Sequence, residues 1–392
     1  MMKFRLFILF LILILSHWAE SQVLRCGAER TEQYIHLLKG KKVALCVNHT
    51  SRIGNTLLVD TLLNVGIQIQ ALFSPEHGLR GEADAGQEID NGTDGPTGLP
   101  LYSLYGKNKK PSAEQLKGID CLVFDIQDVG VRFYTYISTL QYVMEACAGN
   151  HIPLILLDRP NPNGYYIDGP VLDTSCRSFV GMQPVPVVYG MTIGEYAALL
   201  KEEGWLRSKE PCTLTIIPCE GYTHHTRYEL PVAPSPNLKS KRAVQLYPSL
   251  CFFEGTPVSV GRGTDFPFEM YGHPSIKKGS FTFVPQPKPG ATHPPLMGQT
   301  CFGQFLHTPT DDEKTGNNKG RLHLEFLLET FQEFPTKDSF FHPFFDQLAG
   351  TKMLRKQIQD GKTEEQIRQS WQNDILNFKK KRKKYLLYPD FE

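Results

Sequence analysis

The chain lacks a surplus of either charge. Its 42 Lys and Arg side chains stand against 41 Asp and Glu, a formal net charge of +1 over 392 residues. Dedicated nucleic-acid binders usually carry a basic excess, so nucleic acid is not an expected partner. Nine cysteines are present, yet no two are spaced as C-x-x-C, which excludes a zinc ribbon and a thioredoxin-like redox site. No G-x-G-x-x-G follows a strand-like run and no Walker A loop occurs, so no nucleotide or nicotinamide cofactor is expected, nor any other. The serine-hydrolase elbow G-x-S-x-G and the zinc-protease H-E-x-x-H are also missing.

Only one apolar run is long. It covers residues 6–15, is preceded by Lys3 and Arg5, and is followed by Ala19-Glu20-Ser21. This is the order of charged, apolar and small-residue segments in a secretory signal peptide, and the run is about half of the ~20 residues a membrane span needs. Residues 1–21 are therefore read as a leader cleaved after Ser21. The expected product is exported, to the periplasm or the cell exterior, and has no stable membrane insertion. An uncleaved anchor is the alternative.

Hydrophobic residues make up 41% of the chain, with 24 Phe and 16 Tyr, enough for a packed core. The length suggests two domains, which we place at 22–240 and 241–392. Cys46, Cys121 and Cys147 sit within apolar runs and read as core residues. Cys212 and Cys219 are close enough in sequence to form a disulfide in an oxidising compartment.

The first half repeats a strand-loop-helix pattern. Val43-Ala44-Leu45-Cys46-Val47, residues 67–73, Cys121-Leu122-Val123-Phe124 and residues 153–157 read as buried parallel strands. Between them, Leu57, Leu58, Thr61, Leu62 and Val65 form one helical face, and Ile137, Leu140, Met144 and Cys147 another. The fold class expected from this alternation is α/β, with a Rossmann-like parallel sheet in the N-terminal domain. In open α/β sheets, ligands bind beyond the strand C-termini. Each run turns polar there, so Glu76, His77, Asp125, Asp128, Arg132, Asp158 and Arg159 are expected to meet at one mouth.

The second half is different. Proline is dense over 231–236, and Ser235-Pro236-Asn237 reads as a linker or an ordered loop. Gly261-Arg262-Gly263 suggests backbone held close to a ligand with a guanidinium aimed inward, against the plain reading of a turn with a surface arginine. Phe281-Thr282-Phe283-Val284 alternates like a strand. Near the C-terminus, Thr363 and Gln366 make a capping box before a face of Ile367, Trp371, Ile375 and Phe378. The basic run at 379–384 reads as a solvated helix face rather than a polyanion site.

The chemistry suggested by the mouth is glycoside hydrolysis. That reaction needs a protonated carboxyl for the leaving oxygen and a second group for water, for the sugar, or for the oxocarbenium-like transition state. Glu76, at the end of a buried strand, is the candidate acid, and Asp125 or Asp128 the second carboxylate. Asp128 also suits a salt bridge to Arg132 or a helix cap, and His77 a supporting hydrogen-bond role. Tyr134 and Tyr136 are candidates to stack on a sugar or to serve as core. Glu76, His77, Asp125 and Asp128 are also metal-ligand types, but no closely spaced His pair supports a metal.

Several segments together resemble the NamZ-type exo-β-N-acetylmuramidases. They are Ser74-Pro75-Glu76-His77-Gly78-Leu79-Arg80-Gly81, the run from Phe124 through Asp125, Asp128 and Arg132 to Tyr136, Asp158-Arg159-Pro160-Asn161-Pro162, Ser235-Pro236-Asn237, Glu254-Gly255-Thr256 and Gly261-Arg262-Gly263-Thr264. The resemblance runs in order along nearly the whole mature chain. It implies a Rossmann-like parallel-sheet N-terminal domain with a smaller α+β C-terminal domain, an active cleft between them, and release of N-acetylmuramic acid from the non-reducing ends of peptidoglycan fragments, with muropeptides or disaccharides as partners. Glu76 maps onto the catalytic glutamate. One departure is visible: family members usually carry Ser-Glu-Gly-Arg-Gly-Thr, where this chain has Val260 in place of the acid.

N-acetylmuramic acid carries a lactyl carboxylate, which calls for an arginine. Arg262 is the first choice, with Arg132 and Arg159 as alternates. Asn48, Tyr134, Asn161, Asn237, Glu254, Thr264 and Glu269 complete the candidate substrate contacts. The sugar's 2-acetamido group also opens a substrate-assisted route, in which Asp125 or Asp128 orients the acetamide. The rival readings are a metal-dependent amidase or esterase of the cell wall and a non-catalytic muropeptide-binding protein.

Overall fold

The computed structural model describes residues 23–81, 83, 84, 86, 87, 90–306 and 320–392. The leader expected at 1–21 lies outside the described residues.

The strands of the first half are β1 (Lys42–Val47), the hairpin β2 (Arg52–Ile53) and β3 (Thr56–Leu57), then β4 (Gln68–Ser74), β5 (Gly92–Thr93), β6 (Pro100–Ser103), β7 (Cys121–Asp125), β8 (Leu154–Leu157) and β9 (Leu214–Ile217). Seven of them form one sheet in the order β5-β6-β4-β1-β7-β8-β9, parallel except for β5 at the edge. From β1 the chain winds out through β4 to β6. It then crosses to the other side of β1 and winds out through β7, β8 and β9. This is the doubly wound strand order of dinucleotide-binding domains, with its switch point between β1 and β7.

The central strands β1, β7 and β8 are apolar through their middles because both faces are covered there. Ala44, Cys46, Leu122, Phe124, Leu154 and Leu156 join one core cluster. Val43, Leu45, Val47, Cys121, Val123, Ile155 and Leu157 join the other, as the two-residue period of a strand requires. Cys212 and Cys219 flank β9 and fall into opposite clusters, so no disulfide joins them, and all nine cysteines are free.

The helices are α1 (Thr31–Leu38), α2 (Leu58–Asn64), α3 (Tyr136–Gly149), α4 (Ile193–Glu202), α5 (Lys241–Leu250), α6 (Leu324–Glu333), α7 (Phe344–Ala349), α8 (Lys352–Gln359) and α9 (Glu364–Arg382). On α2 only Leu58, Val59 and Leu62 are buried. Leu57 belongs to β3, and Val65, expected on the same face, lies beyond the helix end and is exposed. The expected face of α3 is buried throughout.

The second half pairs β10 (Met270–His273), β11 (Phe281–Phe283) and β12 (Cys301–Phe305) as an antiparallel sheet with β12 in the centre. Helix α9 starts at the Thr363/Gln366 capping box and buries Ile367, Trp371, Ile375 and Phe378. The larger core cluster is continuous from β7 and α3 through α5 to Phe345 on α7, Leu354 on α8 and Trp371, so the two parts pack as one body.

The basic run at 379–384 is solvated at Lys380, Lys383 and Lys384 and paired elsewhere. Arg382 is buried against the Gly190 carbonyl and the Asp390 carboxylate, Lys381 pairs with Glu203 at 2.6 Å, and Lys379 pairs with Glu392.

Candidate active site

A cavity of about 500 Å³ lies between the C-terminal end of β4, the start of α3 and the second domain. Glu76, His77, Tyr134, Asn237, Glu254 and Arg262 line it. These six candidates therefore do come together.

Glu76 leaves the sheet two residues after β4. Its Oε1 accepts the Gly86 N–H at 2.9 Å and its Oε2 the Thr135 hydroxyl at 3.3 Å. His77 has φ 71°, a left-handed conformation that a non-glycine residue adopts only when its surroundings hold it there. The hold is Nδ1, which donates to the Ala83 carbonyl at 2.7 Å. Burial lowers the His77 pKa, although the Glu76 carboxylate pulls the other way. The ring is thus neutral at neutral pH, with Nε2 as its acceptor. Tyr105 lines the same wall, and its hydroxyl is pushed above the ordinary range by burial and by Glu76.

In the same cavity, Arg262 donates from Nε to Glu254 Oε1 at 2.7 Å and lies over the Phe268 ring, 5.0 Å from its centroid. Burial opposes its charge, but Glu254 outweighs burial and holds the guanidinium above its ordinary pKa. Gly261 and Gly263 have φ of 79° and 78°. A Cβ on Gly263 would come within 2.5 Å of Pro294 and 2.6 Å of the Gln286 carbonyl. The turn that presents Arg262 therefore requires glycine. Val260, where the family's acid would stand, is buried and faces the cavity.

The floor is aromatic. Tyr134 and Tyr136 meet edge-on at 4.6 Å, and the Tyr134 hydroxyl donates to the Pro234 carbonyl at 2.8 Å. Asn237 Nδ2 donates to the Gly290 carbonyl at 2.7 Å. Ser235-Pro236-Asn237 is thus an ordered wall rather than a linker.

The single mouth expected from the strand ends is divided. Asp125 and Arg159 are fully buried beneath β1 and form a two-pronged ion pair with each other, one arm at 2.8 Å, so neither lines the cavity. Asp128 accepts from the Gly130 N–H and the Tyr189 hydroxyl, not from Arg132, and burial pushes it up to about 6. Asp158 holds Thr192, Gly194 and Tyr388. Arg132 is wholly buried and donates to four carbonyls, those of Pro170, Val185, Leu348 and Ala349.

Four further candidate contacts also point elsewhere. Asn48 bonds the Tyr136 hydroxyl under the floor, and Asn161 bonds the Met191 carbonyl. Thr264 bonds the Gly261 carbonyl of its own turn, and Glu269 accepts from Ser240. In each case the backbone or side-chain partner comes from a distant segment or from the local turn.

Asp84, Thr135, Tyr247, Cys251 and His293 line the cavity without having been singled out from sequence. Thr135 and Tyr247 carry no local signal. Asp84 and His293 sit in loops whose position depends on the fold.

Among the described residues no three His, Cys, Asp or Glu side chains gather as a metal site would require. Asp125 and Asp128 do not line the cavity that Glu76 and His77 share. Among the described residues no helix is long and apolar enough to cross a membrane.

The N-terminal family model of exo-beta-N-acetylmuramidase NamZ matches residues 43–242, and the C-terminal model matches 245–388. The chain is 40% identical over 379 residues to the peptidoglycan beta-N-acetylmuramidase NamZ of Bacillus subtilis (strain 168), covering 91% of this chain and 89% of that one. Two crystal structures of DUF1343 family proteins from Bacteroides fragilis are similar. One has a TM-score of 0.86 at 44% identity, covering 94% of this chain and 99% of that chain. The other has a TM-score of 0.80 at 29% identity, covering 93% and 99%. With the two models spanning nearly all of both domains, the chain belongs to the exo-beta-N-acetylmuramidase NamZ family.

Proposed function

We propose that this protein is an exo-acting glycoside hydrolase that releases N-acetylmuramic acid from the non-reducing ends of peptidoglycan fragments. The observation that carries this reading is the pairing of Glu76 and Arg262 in one cavity of a NamZ-family chain. A carboxyl and a guanidinium lining one cavity match a sugar that has a glycosidic oxygen to protonate and a lactyl carboxylate to hold.

Glu76 is the general acid. It gives its proton to the glycosidic oxygen as the bond from that oxygen to the anomeric carbon breaks; a water molecule then adds to that carbon and releases a proton, which restores the acid, and the Gly86 and Thr135 donors hold the two oxygens of Glu76 in place. Arg262, fixed by Glu254 at Nε, offers its remaining N–H groups to the lactyl carboxylate. Neutral His77 accepts a sugar hydroxyl or a water proton at Nε2, and Asn237 and Tyr134 form the polar and aromatic sides of the sugar pocket. Export follows the same reading. Peptidoglycan lies outside the cytoplasmic membrane, and the charged and apolar pattern of residues 1–21 suits a signal peptide.

The test is hydrolysis of a chromogenic β-N-acetylmuramide beside the matching β-N-acetylglucosaminide, with and without EDTA. The expected result is release from the muramide alone, unaffected by the chelator. Turnover of neither sugar by folded protein would overturn the proposal in favour of a muropeptide-binding role. Loss of turnover with EDTA would favour a metal-dependent hydrolase.

A further inference from the structure

The loop that holds Glu76 and His77 is itself held from the opposite domain. The Ala83 carbonyl takes the His77 Nδ1 proton and the Gly86 N–H reaches Glu76. Between those two residues stands Asp84. Its Oδ2 accepts both the backbone N–H of Thr292, at 2.7 Å, and the Thr292 hydroxyl, across 208 residues of sequence.

The turn carrying Thr292 is a fixed post. Lys288 and Ala291 close it with two backbone bonds, at 3.1 and 2.9 Å. Asn237 holds its Gly290 carbonyl, and Gly290 packs so closely on Pro236 that a Cβ would come within 2.3 Å of it. The same segment supports the arginine turn: Gln286 N–H donates to the Gly263 carbonyl at 2.9 Å, and Pro294 packs on Gly263. One carboxylate therefore joins the loop that orients the candidate acid to the post that carries the candidate carboxylate-binding arginine.

We propose that Asp84 is a positioning residue, which sets Glu76 in register with Arg262 by tying the segment of Ala83, Asp84 and Gly86 to the 288–292 turn. This rests on the reading of Glu76 as general acid. The tie lies at the rim of the cavity, with Thr292 exposed and Asp84 half-buried, so removing it costs little stability. Its effect is on geometry, where a displacement of about 1 Å at a reacting group is worth on the order of 10²-fold in rate.

The experiment measures kcat and KM on an N-acetylmuramic acid–N-acetylglucosamine disaccharide for wild type, Asp84→Ala, Asp84→Asn and Glu76→Gln, and for Asp84→Ala in the Glu76→Gln background. Asp84→Ala is expected to lower kcat on the order of 10- to 100-fold with KM changed less than about threefold. Asp84→Asn keeps an oxygen for the Thr292 N–H and is expected to recover most of that loss. In the Glu76→Gln background, Asp84→Ala is expected to add nothing further.

Wild-type kcat in Asp84→Ala, beside an inactive Glu76→Gln, would overturn the tether and leave the general acid standing. An equal loss in Asp84→Ala and Asp84→Asn would also overturn it, since the charge and not the tie would then matter. Wild-type activity in Glu76→Gln would instead overturn the reading of Glu76.

Discussion

Replacing Arg132 by Met gives a sharp test, because its sequence context suggested a ligand contact and the fold gives it a different job. The guanidinium is fully buried, has no carboxylate partner, and donates to four carbonyls at 2.7, 2.8, 3.0 and 2.7 Å. Burial pushes its pKa down to about 9, so it remains charged at neutral pH. Two of the carbonyls belong to Leu348 and Ala349, at the C-terminal end of α7, where a cation is favourable. Hydrogen bonds from a charged donor are worth roughly 1.5–3 kcal/mol each, and the desolvation of the cation offsets part of the sum. Methionine fills much of the volume and leaves four buried acceptors bare. A net loss of roughly 3–5 kcal/mol is expected, the range for removing one side of a buried polar cluster. The assay is urea unfolding, read as a lowered midpoint at unchanged slope. A loss below about 1 kcal/mol, with KM for a muramide raised, would refute the reasoning and place the guanidinium in the substrate site.

Other outcomes follow from the same geometry. Asp158 is pushed up to about 6 by burial, so the folded state binds its proton more tightly than the unfolded chain does. Its contribution is full below about pH 4 and is lost as pH rises through about 6, some 3 kcal/mol in all. Asp158→Asn lacks that loss, and urea midpoints measured from pH 4 to 7 should show the variant gaining on wild type as pH rises. Gly263→Ala places a Cβ against Pro294 at a positive φ, and should cost about 1–3 kcal/mol in unfolding assays while raising KM for the muramide. Arg262→Met should erase the preference for the muramide over the glucosaminide, seen as a fall in the ratio of their kcat/KM values by on the order of 10²-fold.

What could be read from the sequence was what depends on near neighbours. The runs that became β1, β7 and β8 are apolar at almost every position, because both faces of the sheet centre are covered, and β4 keeps the signal in Ile69 and Ala71–Phe73 although Gln68 and Gln70 are exposed. Glu76 and His77 were legible because a polar pair directly follows such a run. Strands β6 and β9 were not, since Pro100, Ser103 and Thr215 break runs of only four residues.

The site residues divide on the same principle. Asp125 and Arg159 stand at the ends of β7 and β8 as expected, but adjacent parallel strands put them within reach of each other and they pair. Arg132 looked like a ligand-seeking charge because its partners come from residues 170, 185, 348 and 349. Asp84 carried no signal at all, since its meaning depends on Thr292 in the other domain.

The most direct test of the central claim is how the Glu76→Gln loss depends on the leaving group. An alcohol departing from a disaccharide needs a proton, and a nitrophenolate does not. The account predicts that Glu76→Gln loses at least about 10²-fold in kcat/KM on the disaccharide and far less on the nitrophenyl muramide. Equal losses on both substrates, or no loss on the disaccharide, would contradict the assignment of Glu76 as the acid.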